Sequence, residues 1–289
     1  MNKDKLKKRL TVTSIYVVLI AMTIIILFPL FVTVMSAFNV SNSLYSTSLI
    51  PENFSFTQNF SRLFSETKYL NWYINTFSVS FVAMALATVI ITIMGYVYSR
   101  LRFKARKATL IMLLVVQIIP SGSTLIALYA IANSVGIYSS SQSTLFTYMF
   151  LILIYTTGAI PMNTILMKGY YDSIPRELDE SAKIDGASHF RIFREILIPL
   201  VKPMIAVTAL FTFLAPIGDV IMPNFLVASI DSADKTLALG LNSLIENPQK
   251  QSYNLFAAGS ILVAIPAILL FYKLQNHIVG GLTQGGVKG

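Results

Sequence analysis

A run of 60 residues without a single charged side chain, from Ala108 to Met167, constrains the fold of this chain more than any other feature. A helix that crosses the hydrocarbon core of a bilayer needs about 20 apolar residues, so the run is too long for one such helix and suits two. Over the whole chain only 12% of residues are charged, against about 25% in an ordinary soluble domain. The sequence therefore predicts an all-α polytopic membrane protein.

Six apolar segments are long enough to cross a membrane. The uncharged run divides at residues 133–143, where Gly, Asn and Ser favour a turn. The first segment follows a basic start and exceeds the roughly 7 to 15 apolar residues of a cleaved signal peptide, so we expect it to be retained. The predicted spans cover about residues 12–37, 74–98, 108–132, 144–167, 203–220 and 252–272.

The distribution of basic residues predicts the orientation of these spans. If both termini face the cytoplasm, 18 of the 22 Lys and Arg residues fall in cytoplasmic segments, and only Arg62, Lys68, Lys235 and Lys250 fall outside. Cytoplasmic loops of membrane proteins collect Lys and Arg, so this count predicts cytoplasmic termini. The net charge of +9 then follows from topology, and no nucleic-acid partner is expected.

The predicted cytoplasmic loop 173–200 contains the most polar long stretch of the chain, ELDESAKIDGASHFRIFREILIPL, from Glu177 to Leu200. Acidic residues at its start favour a helix N-terminus. Gly186 can end that helix in a left-handed conformation, and Ser188 can cap a second helix. Pro199 and Pro203 are predicted to bend the chain towards the fifth span. The pattern predicts two short helices that meet at an elbow.

Two partners are possible for this loop from its pattern alone. An amphipathic segment can lie on the lipid surface, as basic amphipathic helices do. The five acidic residues of the stretch would be repelled by anionic headgroups, so a protein partner fits its mixed charge better.

An ordered set of residues in this loop resembles a known family. The set is Glu180, Ser181, Ala182, Asp185, Gly186, Ala187, Phe193, Pro199 and Pro203. It is similar to the EAA loop of permease subunits from ATP-binding-cassette (ABC) importers, in which E-A-A is followed two residues later by D-G-A and then by F and P. Ser181 replaces the usual Ala and is similarly small. The resemblance implies six transmembrane helices in the type I importer (MetI-like) permease fold.

In that family the loop is a coupling helix that docks on a cytoplasmic ATPase. The resemblance implies that Glu180, Asp185 and Gly186 hold the elbow and its contacts, with Ser181 beside them. It further implies that Ala182 and Ala187 let the partner approach closely, and that Phe193 and Pro199 anchor the elbow to the membrane helices.

Both flanks of the loop add to the resemblance. Asn75 and Thr76, at the head of the second span, look like the family's N-T opening. The tail GLTQGGVKG looks like that of maltose and maltodextrin permease subunits, which reaches into the ATPase dimer, so Gln284, Gly285 and Gly286 become candidate ATPase contacts. Plain disorder is the alternative for a Gly-rich terminus. One departure is the stretch 215–225, APIGDVIMPNF, where many sugar permeases have a Trp-Asn pair.

The resemblance implies one half of a sugar importer in a bacterial cell membrane, most closely of the maltodextrin type. The expected partners are a second related permease subunit, two ATPase subunits, an extracytoplasmic sugar-binding protein and membrane lipid. The implied organisation is a cytoplasmic tail 1–11, a first transmembrane helix 12–37, an extracytoplasmic loop 38–70, a permease domain 71–273 and a cytoplasmic tail 274–289.

The sequence lacks the phosphate-binding motif G-x-x-x-x-G-K-[ST], so the chain is not expected to be an enzyme or to bind a cofactor. ATP and Mg would be used by the partner ATPase. His189 and His277 are far apart in sequence and do not predict a metal site.

Asp219 is the one acidic residue near the interior of a predicted span. It is expected either at the outer mouth of the substrate pathway or at an interfacial helix end. Two other functions are kept open: an ion-gradient-driven secondary transporter, which normally needs ionisable groups near mid-membrane, and a membrane protein that recruits cytoplasmic partners without transport.

Overall fold

The computed structural model describes residues 3–40, 51, 53–137, 144–227, 232–246 and 251–285. Within these ranges the chain is helical, and the β structure described is an isolated bridge between Asn39 and Phe54. The helices are α1 Lys3–Phe38, α2 Gln58–Glu66, α3 Tyr69–Arg100, α4 Arg106–Val116, α5 Ser121–Ser134, α6 Thr144–Asp172, α7 Glu177–Ile184, α8 His189–Arg191, α9 Ile198–Gly218, α10 Ile221–Val227, α11 Leu237–Glu246 and α12 Tyr253–Gly285. The predicted all-α architecture is confirmed.

Five segments of the described chain are long and apolar enough to cross a membrane: Thr11–Phe38, Tyr69–Arg100, Thr144–Asp172, His189–Gly218 and Tyr253–Gln275. They correspond to the first, second, fourth, fifth and sixth predicted spans. The segment that corresponds to the fifth predicted span begins at His189 instead of near residue 203, because α8 and α9 form one continuous helical segment.

The third predicted span is interrupted. In place of one helix over residues 108–132, α4 ends at Val116 and α5 begins at Ser121. Pro120 lies at the break and precedes α5 with extended backbone angles, φ −58° and ψ 135°. Proline lacks an N–H and disfavours helix at the residue before it, which explains the break. The predicted span 108–132 is therefore formed by two helices, α4 and α5, in place of one.

Contacts divide the chain into two compact units. The first consists of Met1–Tyr69 and Leu241–Ala264. In this unit the buried Asn59 side chain donates from Nδ2 to the carbonyl oxygens of Ala37, at 2.9 Å, and Asn39, at 2.8 Å. These bonds tie the end of α1 to α2, since both carbonyls lie where α1 ends.

The second unit consists of Leu70–Gly240 and Ile265–Gly289. Its main buried cluster joins α3, α6 and the residues that follow α6 in the chain. The members are Ala87, Ile91, Tyr96, Met167, Tyr171, Ile174, Ala182, Ile192, Leu197 and Val201. Gly95 permits the close approach of α3 and α6, because a Cβ there would lie 2.4 Å from Met167 Cγ.

Apolar side chains also cover much of the outer surface. The most apolar window of α1 has no buried residue, and only 17% of the corresponding window of α6 is buried. Exposed apolar surface on this scale is stable only when lipid or another protein covers it.

Candidate functional site

The elbow, residues 173–200, is built around one glycine. Gly186 has φ +80°, as predicted for a residue that ends a helix in the left-handed region. The Ala187 amide donates to the Ala182 carbonyl at 2.9 Å, and the Gly186 amide donates to the Lys183 carbonyl at 3.0 Å. These two bonds form a Schellman motif, which satisfies the last carbonyls of α7 and sets a sharp turn.

The second arm of the elbow starts at the predicted cap. The Ser188 hydroxyl accepts a hydrogen bond from the Arg191 amide at 3.3 Å. From His189 the chain stays helical to Gly218, through a π-helical turn at Ile192–Leu197. Pro199 follows this turn within the helix, so the chain stays helical past Pro199 and Pro203, and the bend expected at these residues stays a prediction. The wider π turn accommodates a residue that has no N–H and crowds the carbonyl four positions earlier.

The outward surface of the elbow mixes polar and large apolar side chains. Glu180, Ser181, Asp185 and Gly186 are exposed, and so are Ile184 at 87% and Phe190 at 67%. Sequence reasoning did not single out Ile184 or Phe190 as contacts, although each is a large apolar residue next to the turn. A signal was available, because only a partner or lipid explains such residues on an otherwise charged segment.

Four residues expected at the interface or anchor differ in their surroundings. Ala182 is buried and Ala187 packs partly against the same cluster, so their small size serves packing within the chain; that they let a partner approach closely stays a prediction. The centroid of the Phe193 ring lies 4.8 Å from that of the Tyr96 ring on α3, and the role of Phe193 as an anchor stays a prediction. Pro199 is exposed, and the anchoring role expected of it stays a prediction.

A buried ion pair joins the elbow to α3. Arg100 Nε lies 2.6 Å from Asp179 Oδ2, and the two side chains are only 5% and 10% exposed. The N–H at Nε is not aligned with the carboxylate, so the contact is an ion pair and not a well-directed hydrogen bond; Asp179 Oδ1 has no hydrogen-bond partner among the described residues. Arg100 also donates from Nη2 to the Ile174 carbonyl at 2.9 Å.

Neighbouring residues of α3 reach other parts of the same region. The Ser99 hydroxyl donates to Asp172 Oδ1 at 2.6 Å, and its carbonyl accepts from Arg176 Nη2 at 3.3 Å. The Tyr96 hydroxyl donates to the His189 carbonyl at 3.3 Å. A polar cavity of about 80 Å³ remains beneath the elbow, lined by Tyr96, Arg100, Arg176, Asp179, Glu180, Lys183, His189 and Ile192.

The other end of α3 holds the segment Ser232–Leu237. Trp72 Nε1 donates to the Ser232 carbonyl at 2.7 Å. Asn75 Nδ2 donates to the carbonyls of Ala233, at 3.1 Å, and Lys235, at 3.2 Å. The Thr76 hydroxyl accepts from the Leu237 amide at 2.7 Å. Asn75 and Thr76, the N-T pair of the family resemblance, therefore bind the main chain that leads into α11.

Two further contacts tighten this end of the unit. The Thr144 hydroxyl donates to Asp234 Oδ2 at 3.1 Å, and the Tyr148 hydroxyl donates to the Asp234 carbonyl. Gly240 lies so close to the indole of Trp72 that a Cβ at this position would be 2.2 Å from the ring. The segment is thus held by α3 and α6 together.

Asp219 caps a helix. Its Oδ1 accepts from the amides of Ile221, at 2.8 Å, and Met222, at 3.1 Å, and its Oδ2 accepts from the Tyr155 hydroxyl at 3.0 Å. Of its two expected positions, these contacts favour the helix end. A cavity of about 290 Å³ opens beside it between α6 and α9, with Tyr155, Asn163 and Thr212 as its polar lining. A role of Asp219 in the pathway stays a prediction.

The candidate tail contacts lie at the edge of the described chain. Gln284 and Gly285 are the last residues of α12, and Gly286 lies outside the described residues. Among the described residues, no group of three His, Asp or Glu side chains is placed to hold a metal ion.

Three protein relatives resemble the chain along nearly its full length. The maltodextrin transport system permease protein MdxG of Bacillus subtilis is 48% identical over 95% of each chain. The maltodextrin permease MalD of Streptococcus pneumoniae is 43% identical over 100% of this chain and 99% of its own. The galactooligosaccharides permease GanQ of Bacillus subtilis is 43% identical over 99% of this chain and 98% of its own.

Solved structures and a family model agree with these relatives. A bacterial ABC transporter involved in import of the acidic polysaccharide alginate covers 93% of this chain and 97% of its own, with a TM-score of 0.75 and 18% identity. The MetNI methionine ABC transporter covers 74% of this chain and 95% of its own, with a TM-score of 0.55 and 17% identity. At such identity these structures show a shared fold. Residues 87–284 match the family model described as the binding-protein-dependent transport system inner membrane component.

Proposed function

Because the chain belongs to the family of binding-protein-dependent transport system inner membrane components, we propose that it is the permease subunit of an ATP-driven importer of maltodextrin-type oligosaccharides. The observation that carries the substrate class is the near full-length similarity to two proteins named as maltodextrin permeases. The galactooligosaccharides relative makes galactooligosaccharides the competing substrate.

The chain forms half of the pathway and works with other subunits. The partners are a second related permease subunit, two ATPase subunits that use ATP and Mg, and an extracytoplasmic sugar-binding protein. The apolar windows of α1 and α6, of which 0% and 17% are buried, support a lipid environment and a second permease, because this chain alone leaves most of their surface uncovered.

The elbow docks on the ATPase in this proposal. Its support is a rigid turn that presents Ile184 and Phe190, two large exposed apolar side chains, beside the exposed Glu180 and Asp185. Buried apolar anchors with a polar rim are the common design of protein interfaces. The elbow and both termini face the cytoplasm, in agreement with the count of basic residues.

Uptake by the reconstituted complex tests the function. Proteoliposomes that contain both permeases and the ATPase, with the binding protein outside, should accumulate labelled maltotriose only when ATP is inside. Faster uptake of a galactooligosaccharide than of maltotriose would make galactooligosaccharides the substrate class. Uptake driven by an ion gradient without ATPase would establish the secondary transporter, and ATPase binding without any uptake would establish the recruitment protein.

Substitutions at Gly186 test the elbow by separating backbone strain from partner contact. Among the described residues, no atom outside the local backbone lies within 4 Å of the position a Cβ would occupy there, so an added Cβ meets no described neighbour. Asn adopts the left-handed region more readily than Ala, whereas Ala is smaller. If the ATPase packs against the turn, Gly186→Asn should reduce ATPase co-purification more than Gly186→Ala, and Gly186→Asp most. A larger loss of ATPase co-purification in Gly186→Ala than in Gly186→Asn would mean that backbone strain alone lowers ATPase binding.

The C-terminal tail has its own test. Deletion of residues 284–289 should weaken ATPase co-purification if Gln284, Gly285 and Gly286 contact the ATPase. Unchanged co-purification would favour plain disorder of the tail.

A further inference from the structure

The last turn of α3, Tyr96–Arg100, contacts each part of the elbow through a different group. Arg100 pairs with Asp179 of α7 and donates to the Ile174 carbonyl before it. Tyr96 donates to the His189 carbonyl, and its ring contacts the tilted ring of Phe193 in the second arm. Since both arms are fastened to the same turn of one helix, the elbow cannot tilt without moving α3 or breaking these contacts.

The ion pair is the strongest candidate for the link itself. Both charges are almost fully buried, at 5% and 10% exposure, whereas the Arg62–Glu66 pair is 33% and 49% exposed. A buried charge that loses its partner is strongly unfavourable, while exposed pairs contribute little. Arg100 further uses a second nitrogen on the Ile174 carbonyl, which a lysine ammonium cannot reproduce in the same planar geometry.

The same helix is fastened at its other end. Trp72, Asn75 and Thr76 bind the main chain of Ser232–Leu237. About 30 Å of helix separates Thr76 from Tyr96 at 1.5 Å per residue, which is close to the thickness of the hydrocarbon core. One rigid rod therefore connects the elbow to a segment on the opposite side of the membrane.

We propose that Arg100 and Asp179 are positioning residues that join the elbow to α3, so that α3 carries movement of the elbow to the segment Ser232–Leu237. This inference rests on the proposed function, because the ATPase supplies the movement. The pair is shielded inside the chain and acts through α3, without touching substrate.

The test compares charge removal with charge restoration in the reconstituted complex. The variants are Asp179→Asn, Arg100→Gln, the neutral double variant, and the charge swap Arg100→Asp with Asp179→Arg. The measurements are ATPase co-purification and sugar transported per ATP hydrolysed. Each single variant should keep ATPase binding and lower the transport ratio by about 5- to 150-fold, the range of typical coupling free energies. The swap should recover part of this loss, and Arg100→Lys should lie between Arg100→Gln and the natural residue.

The neutral double variant keeps the test valid if a single variant fails to insert, because it leaves no unpaired buried charge. It should transport no better than the milder single variant. Arg62→Gln, at the exposed pair, is the matched control and should leave the ratio unchanged. A normal transport ratio in the neutral double variant, with normal ATPase binding, would overturn the inference.

A cysteine reporter tests the second half of the proposal. The chain has no cysteine, so Ser232→Cys introduces its only thiol, on an exposed residue. Labelling of this thiol by a membrane-impermeant maleimide should change on addition of ATP, and the change should disappear in Asp179→Asn. An ATP response that survives in Asp179→Asn would contradict the role of the pair. Absence of ATP-dependent uptake by the unmodified complex would instead overturn the proposed function.

Discussion

The two ends of α3 are fastened by different chemistry. At the Arg100 end a charged side chain pairs with another charged side chain in a buried site. At the Trp72 end neutral side chains bind main-chain carbonyls and an amide of the segment Ser232–Leu237. Main-chain contacts accept almost any sequence in the bound segment, whereas an ion pair requires a particular residue on each side. The elbow end is therefore the more sensitive to substitution.

Removal of one charge at the elbow end should have the largest effect. Asp179→Ala leaves Arg100 buried without a counter-charge, and we expect it to lower the free energy of unfolding by about 3–5 kcal/mol. Denaturant unfolding in detergent measures this loss. A second substitution, Arg100→Leu, should recover most of it because the unpaired charge is gone. If the double variant is as unstable as Asp179→Ala, the burial of charge is not the cause.

Crowding at the opposite end should have the next largest effect. Gly240→Ala places a Cβ 2.2 Å from the Trp72 ring, and a rigid indole cannot yield, so we expect a loss of about 3 kcal/mol, the upper part of the usual overpacking range. Trp72→Phe in the same chain should relieve the crowding. The control is Gly158→Ala in α6, where a Cβ meets nothing within 4 Å. Comparable losses in both alanine variants would rule out the indole contact as the reason.

Loss of a single acceptor at this end should be milder. Thr76→Val removes the hydroxyl that accepts from the Leu237 amide while nearly keeping the side-chain volume. A buried donor left without an acceptor costs about 2 kcal/mol, the middle of the usual range. Thr76→Ser keeps the hydroxyl and serves as the control. Equal thermal stability of the Val and Ser variants would show that this hydrogen bond contributes nothing.

The smallest effect is expected at the exposed pair Arg62–Glu66, 33% and 49% exposed. The guanidinium of Arg62 lowers the pKa of Glu66, so the pair is formed at neutral pH and weakens as pH falls through that lowered pKa. Arg62→Gln should change stability at pH 7 by about 0–1 kcal/mol. A loss as large as that of Asp179→Ala would mean that burial does not distinguish the two pairs.

Local features of the elbow were predictable from sequence. Gly186 was expected in the left-handed region and has φ +80°. Ser188 was expected to cap the second helix, and its hydroxyl accepts from the Arg191 amide. Both predictions succeed because the signals are local: a glycine after a helix and a hydroxyl before one depend on backbone geometry within a few residues.

Two proline signals in the sequence lie in different helical surroundings. Pro120 divides the third predicted span into α4 and α5. Pro199 and Pro203, expected to bend the chain, lie within a continuous helix that contains a π turn. Whether a proline ends a helix or lies within one depends on how neighbouring helices pack against the affected turn and satisfy its free backbone groups. The sequence alone does not show that packing.

The sequence by itself determined the class of the protein and the position of the elbow, because the charge-free run, the count of basic residues and the ordered motif each depend only on residue type and spacing. Only the tertiary structure decided which elbow residues face inward. In the folded chain Ala182 is buried, whereas Ile184 and Phe190 are exposed. Arg100 forms an ion pair with Asp179. The pairing joins residues almost 80 positions apart, so the cost of burying their charges is met only after α3, α6 and α7 have packed together.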